Sequence, residues 1–462
     1  MRVSQQFAVP YDPCELDFVD IDVIEDRKFF VDPHAIRLAR TDLSRGATRL
    51  IQRFFSHLLD IIRAGKDEKA YEYLRYLLEP NETHFGYSAK YSRGRALGPD
   101  SAEDVLNALK KSAAVQTGLL RDLEDAALLI EGIDRDIVSD MATNIIRPIL
   151  TAYTQQMAAL YGIPTQSVKV GAIWDAEACE WRTGDVAELP VGPRGALLFV
   201  PKLFVRIVFE RDRREYHRNH VAPALAAEEI AAGSALVKLL KSGEPRVTKK
   251  DLKKEHGDGK PTTIRVTQRR PGLLDDYRKV SGERIRRAVS QEDLTEVLKA
   301  PKPKWQALAA DAVAIPTDAA HADARGRAVL GFMTALLHPN VTAPDALNIN
   351  DSDFRAWRFD AVSNADGPLS AALAQFPSDA VGLVVLNADL TSAQVPRLIK
   401  WLDGTDIPLT IVVARSVRKD AAKAITAAAH GVLLFGDSDI VAMGEQRAAG
   451  PETVSQFFMV PD

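Results

Sequence analysis

Apolar and polar positions change their period several times along the chain. Over residues 1–35 they alternate: Leu16-Asp17-Phe18-Val19-Asp20-Ile21-Asp22-Val23, then Lys28-Phe29-Phe30-Val31 ahead of Pro33. A period of two is the mark of a strand with one buried face, and proline closes the second run. From about 45 to 165 the period lengthens. Leu50, Ile51, Phe54, Phe55, Leu58, Leu59, Ile61 and Ile62 recur at the three-to-four spacing of an amphipathic helix. A second helix is expected from Ser101, with Asp104 completing an approximate capping box before Val105, Leu106 and Leu109. A third runs from Ile137 to Tyr161 and is broken or bent at Pro148.

Residues 166–208 return to strand character, with Val168-Lys169-Val170, a Trp174…Trp181 hairpin and the run Ala196–Val200. A basic stretch follows, helical over 222–241. The polar run Lys249–Lys260, with Gly257 and Gly259, is expected to be a mobile loop. Thr262–Thr267 predicts a short strand and 275–298 a charged helix. Pro301 and Pro303 mark a linker. Beyond it come a helix (323–337), strands at 354–363 and 381–386, a helix (392–402), a strand (409–414), a helix (417–429), a strand (431–435) and a helix from Asp437. Strands alternating with helices predict a mixed, mostly parallel sheet with helices on its faces. The expected fold class is therefore α+β and multidomain. It comprises a mainly helical region with short strands (1–165), a small β segment (166–210), a basic helical connector (211–300) and an α/β domain (305–462).

The length of 462 residues supports this division, since one ordinary core rarely grows so large. No run approaches the ~18 apolar residues of a membrane span, and the opening MRVSQQFAVPYDP lacks the apolar stretch of a secretory signal. Cys14 and Cys179 are too few for a zinc site and too far apart in sequence to suggest a disulfide, which points to a reducing cytoplasm. The formal net charge of -4 excludes a general polyanion binder, but the charge is uneven. Lys202–Arg287 holds 22 Lys and Arg against 12 Asp and Glu, a local balance of +10. Within it Arg211, Arg213, Arg214 and Arg218 form one cluster, and Lys249, Lys250, Lys253 and Lys254 another. Such groups suit phosphate contact, and a solvated charged face is the alternative. Few aromatics lie nearby, which favours backbone or duplex contact over single-strand stacking.

Three further stretches have chemistry to weigh. Gly86, Gly94 and Gly98 with Ser88, Arg93 and Arg95 form a polar glycine-rich loop. Amides and arginines there suit a phosphate. A plain turn linking helices, with its arginines paired to Glu79 and Glu82, is the favoured alternative. The acidic run Asp134-Arg135-Asp136 with Asp140 precedes a helix, where carboxylates are favourable in their own right. His84 beside Glu82 lacks further spaced ligands. No Gly-x-Ser-x-Gly, Walker A or paired Cys/His zinc pattern is present.

The C-terminal order, with Arg358-Phe359-Asp360, Asn364, Gln394 and Arg415, resembles the restriction-endonuclease-like fold of PD-(D/E)XK nucleases found in prokaryotic defence proteins. Stretches such as Phe30-Val31-Asp32-Pro33, Glu79–Ser88, Ser92–Gly98 and Gly132–Met141 carry the likeness into the N-terminal half. The resemblance implies a sheet on which two carboxylates hold Mg²⁺ and a lysine activates water. Here the glutamate-x-lysine positions are Leu386 and Ala388, which can do neither. The expectation is an antiviral-defence pseudo-nuclease without cofactor that binds nucleic acid, DNA foremost, or a partner protein of a defence complex. Two alternatives stay open. One is a protein-interaction module. The other is an active Mg²⁺-dependent nuclease whose catalytic set has migrated to Asp360, Asp389 and Lys400.

Overall fold

The computed structural model describes residues 1–77, 79–86, 99–207, 213–284, 289–316, 319–348, 351–363, 365–429 and 431–459. Helix α1 (Asp42–Arg63) begins at Thr41, whose hydroxyl accepts from the Ser44 amide at 3.1 Å. It buries Ile51, Phe54, Phe55, Leu58, Leu59, Ile61 and Ile62, the stripe expected from their spacing. The helix expected over 137–161 is broken, as anticipated, into α2 (Arg135–Ile145) and α3 (Arg147–Tyr161), just ahead of Pro148. Pro148 stands in the first turn of α3, where its missing N–H costs nothing, so it starts a helix there. Strand β1 (Gln166–Lys169) pairs antiparallel with β4 (Val186–Leu189) around a hairpin of β2 (Ile173–Asp175) and β3 (Glu180–Arg182). Trp174 faces Trp181 in that hairpin, and both rings pack edge-on against Phe54 of α1.

One continuous apolar cluster runs from Val3 through Trp174 and Phe199 to Val266, Tyr277 and Leu298. The described residues of 166–210 and 211–300 therefore pack into the same cluster as the N-terminal region, which Val362 and Ala365 also join. The opening segment departs from its pattern. Apart from a four-residue helix at Val3–Gln6 and the pair Phe30–Val31, residues 1–32 hold no regular element. Its polar positions are buried too, because partners satisfy them: Tyr153 for Asp17 at 2.6 Å, Ser4 for Asp20 at 2.6 Å and Arg27 for Asp22 at 2.7 Å. The basic segment also differs from expectation. After α4 (Ala222–Ala231) come α5 (Lys249–His256) and α6 (Lys260–Arg269). The mobile loop and the strand expected there are both helices. Thr262, Thr263, Val266 and Thr267 are buried at i, i+1, i+4 and i+5, a helical face.

Beyond the linker, α7 (Trp305–Ala314) and α8 (Ala322–Leu337) lead into a five-stranded sheet. Its strands lie in chain order: β5 (Val341–Leu347), β6 (Phe354–Ala361), β7 (Ala380–Leu386), β8 (Leu409–Val413) and β9 (Val432–Phe435). The first two pairings are antiparallel and the last two parallel. Helix α9 (Val395–Asp403) connects β7 to β8, α10 (Lys419–Ala428) connects β8 to β9, and α11 (Asp437–Ala449) follows. Every residue of β7 is buried. Val381, Leu383 and Val385 enter one core with α7, α8 and α11, whereas Val384 and Leu386 enter another with α9 and α10. Burial on both faces is why these strands read as unbroken apolar runs. Strand β5 was not anticipated. It carries a bulge between Thr342 and Asp345, with Ala343 at φ +50°. The buried Asp17 carboxylate accepts there from Thr342 Oγ1 at 3.1 Å and from the Ala343 amide at 2.9 Å, joining the two halves of the chain.

Candidate functional site

The antiparallel register of β6 on β7 decides which groups can meet. Asp360 lies opposite Ala380, at the amino end of β7, whereas Phe354 lies opposite Leu386 at its carboxyl end. Six residue steps of strand separate those ends, about 20 Å. Asp389 follows the carboxyl end, is exposed, and accepts from Ser416 Oγ at 2.8 Å. Lys400 is exposed on α9. The migrated set Asp360, Asp389 and Lys400 is therefore not assembled, because consecutive strands of a meander place their carboxyl ends on opposite edges. Among the described residues no group of three or more His, Cys, Asp or Glu side chains is placed to hold a metal ion.

Asp360 has a different position to fill. Its side chain is buried, accepts from the Leu43 amide in the first turn of α1 at 3.3 Å, and receives Arg358 Nη1 at 3.0 Å. Arg358 reaches on to Asp42 at 3.4 Å. A carboxylate at a helix amino terminus meets unsatisfied amides and the positive end of the dipole. Burial nevertheless pushes its pKa up, against the Leu43 amide and Arg358, and Asp42 adds to the rise. Asp360 thus docks the C-terminal sheet on the N-terminal helix.

The carboxyl edge of β7, β8 and β9 collects the other polar groups. Arg397 pairs with Asp351 at 2.8 Å and Asp353 at 2.9 Å, and lies over the Phe354 ring. A cleft of about 380 Å³ lined by Asn348, Asp351, Ser352 and Arg355 opens there. Arg325, fully buried in the first turn of α8, donates to Asp437 at the start of α11 at 2.5 Å. Its Nε and Nη1 have no hydrogen-bond partner among the described residues. Burial raises the Asp437 pKa against Arg325 and Arg415, with Asp389 raising it further. Sequence reasoning missed Arg325 and Asp437, since each sits inside an ordinary helical pattern. Gln394 accepts from the Thr391 amide at 3.0 Å, a local turn contact.

The basic candidates lie on the surface. Arg214, Arg218, Lys249, Lys250, Lys253 and Lys254 are exposed. Arg213 is half-buried, donating to the Asp258 carbonyl at 2.6 Å, and Lys253 pairs with Asp258 at 2.7 Å. Arg211 lies outside the described residues, as do Ser88, Arg93, Arg95 and Asn364. Near the glycine-rich stretch, Glu82 is paired with Arg147 at 2.7 Å, and His84 is buried 3.6 Å from Asp26. Asp134 caps α2, accepting from the amides of Asp136 and Ile137.

Residues 9–209 match the model of a domain of unknown function, DUF8370. No curated protein and no solved structure matches the chain. The matched span ends where the basic segment begins.

Proposed function

We propose that the chain is a non-cleaving nucleic-acid-binding protein whose C-terminal sheet is a restriction-endonuclease-like core without a catalytic centre. The observation that carries this reading is the register of β6 on β7, which holds Asp360 at the edge opposite Asp389 and commits it to the amino terminus of α1. The order of elements agrees with such a core: helix α8, the antiparallel meander β5–β6–β7, crossover α9 and parallel β8. Leu386 is a core residue opposite Phe354, and Ala388 carries no functional group, so neither can bind metal. A core of this kind keeps its shape when catalysis is lost. The exposed lysines of α5 supply the charge that phosphates require. Within this reading the chain serves prokaryotic defence as a sensor or scaffold that engages nucleic acid while another subunit cuts.

The test uses the purified full-length protein with duplex DNA, single-stranded DNA and RNA, with and without Mg²⁺ or Mn²⁺, across a salt series. Binding that weakens steeply with salt, without cleavage, is the expected result. Metal-dependent cutting overturns the non-cleaving reading. The absence of binding to all three probes overturns nucleic-acid recognition.

A further inference from the structure

The basic segment folds as a short helix, a three-residue turn and a second helix. Helix α5 has 8 residues and α6 has 10, and Gly257-Asp258-Gly259 joins them. We propose that α6, presented by this helix pair, enters the major groove of duplex DNA and reads its sequence. The proposal rests on the nucleic-acid reading above and goes further, naming the ligand, the element and the side chains.

The local sequence sets both helices and the turn between them. Thr248 caps α5, accepting from the Asp251 amide at 3.1 Å. Gly257 stops that helix at φ +74°, with its amide on the Lys253 carbonyl, a conformation that favours glycine. Gly259 then starts α6, with proline in its first turn. A glycine-containing turn of three residues thus fixes where α5 ends and α6 begins. The turn is tied down by Thr262 Oγ1 on the His256 carbonyl, by Arg213 on the Asp258 carbonyl and by Lys253 on the Asp258 carboxylate.

Other helices hold the pair from behind. His256 meets Glu229 of α4 at 2.8 Å. Tyr216 and His217 reach Thr267 at 2.9 Å and Thr263 at 3.3 Å from the helical segment before α4. Leu252 and Val266 enter the large N-terminal core. With Thr262, Thr263, Val266 and Thr267 turned inward, Pro261, Arg265 and Arg269 form an exposed stripe at i, i+4 and i+8. Arg265 has no ion-pair partner among the described residues, and Arg269 stands 3.9 Å from Glu228. Lys260, at the start of α6, is half-buried and donates to the Ile133 carbonyl at 2.6 Å. Its middle and end are therefore what α6 can offer a ligand.

Charge and composition select the ligand. Residues 238–270 hold eleven Lys and Arg against four Asp and Glu, a net of +7, and no Phe, Tyr or Trp. Without aromatic rings there is no platform for unstacked bases, which argues against single strands. The deep major groove of duplex RNA does not admit a helix, whereas that of B-DNA does. A helix of this length spans about 15 Å, enough to cross that groove. An arginine fork can read guanine O6 and N7 there, while Lys249 and Lys250 at the start of α5 suit the phosphates.

The experiment selects bound sequences from a pool of random 30-base-pair duplexes with the full-length protein. It then measures anisotropy on the selected duplex, a scrambled duplex, single-stranded DNA and duplex RNA. The selected duplex is expected to bind tightest. Arg265→Ala is expected to weaken it about 10- to 100-fold and leave the scrambled duplex nearly unchanged. Arg265→Lys keeps the charge and loses the fork, so it too loses the preference. Lys249→Ala with Lys250→Ala is expected to weaken both duplexes alike and lower the salt slope by about 2. Binding without sequence preference, a preference untouched by either Arg265 variant, or RNA or single strands bound as tightly as the selected duplex overturns this inference and leaves general nucleic-acid binding standing. No binding to any probe removes both.

Discussion

Glu15→Gln is expected to stabilise the protein at alkaline pH and to remove part of its pH dependence. Glu15 is only 8% exposed, and its Oε2 accepts from the Asp12 amide at 2.7 Å. Its other oxygen lies against Gly331 of α8, where a Cβ would approach it to 2.9 Å. Burial pushes its pKa up to about 7 from 4.5, with Asp12 and Asp311 adding to the rise and the Asp12 amide and Lys202 opposing it. Tyr11 and Arg327 stand close by. A carboxyl group whose folded pKa is raised contributes stability that is complete below about 4.5 and lost as pH rises through 7. The displacement corresponds to about 3 kcal/mol, as an order of magnitude. Glutamine keeps the shape and the acceptor for Asp12 without a charge to desolvate. The variant should match the wild type near pH 4.5 and exceed it by up to about 3 kcal/mol at pH 8. Urea unfolding at intervals between these values measures the difference. His338 has the opposite slope, since burial holds its pKa down to about 4 and stability falls as it gains a proton below 6.5. That contribution is common to both proteins and cancels. A difference between them that stays constant from pH 5 to 8 would refute the reasoning.

Two further substitutions test the fold. Asp360→Ala removes the acceptor for the Leu43 amide and the partner of Arg358, so it should cost about 1–2 kcal/mol in chemical unfolding and change no cleavage assay. A metal-dependent activity abolished by it, with stability intact, would reassign that carboxylate to chemistry. Gly431→Ala places a Cβ 2.0 Å from the Pro408 carbonyl oxygen at φ +71°, and should destabilise the C-terminal sheet by about 2–4 kcal/mol. An unchanged melting temperature would show that the turn into β9 is not held as described.

The C-terminal half was legible from hydrophobic pattern alone. Strands β6 to β9 and helices α8 to α11 fall close to their expected positions, because a sheet covered on both faces writes unbroken apolar runs and its crossovers write amphipathic ones. The stripe of α1 and the Trp174–Trp181 hairpin were equally plain. Thr262–Thr267 misled because threonine, isoleucine and valine favour strands locally. The capping glycine, the first-turn proline and a buried face at fourfold spacing outweigh that preference once α6 packs on its neighbours. The alternation in residues 16–23 misled for a related reason. Asp17 and Asp20 are buried because distant hydroxyls reach them, and no local pattern announces a partner 136 residues away. The fate of Asp360 lies furthest from the sequence. Asp360, Asp389 and Lys400 stand within a span of forty-one residues. Whether they meet depends on strand direction, on the register of β6 against β7 and on which helix docks over the edge. All three are long-range pairings, settled by burying both faces of the sheet at once, and only the assembled structure decides them.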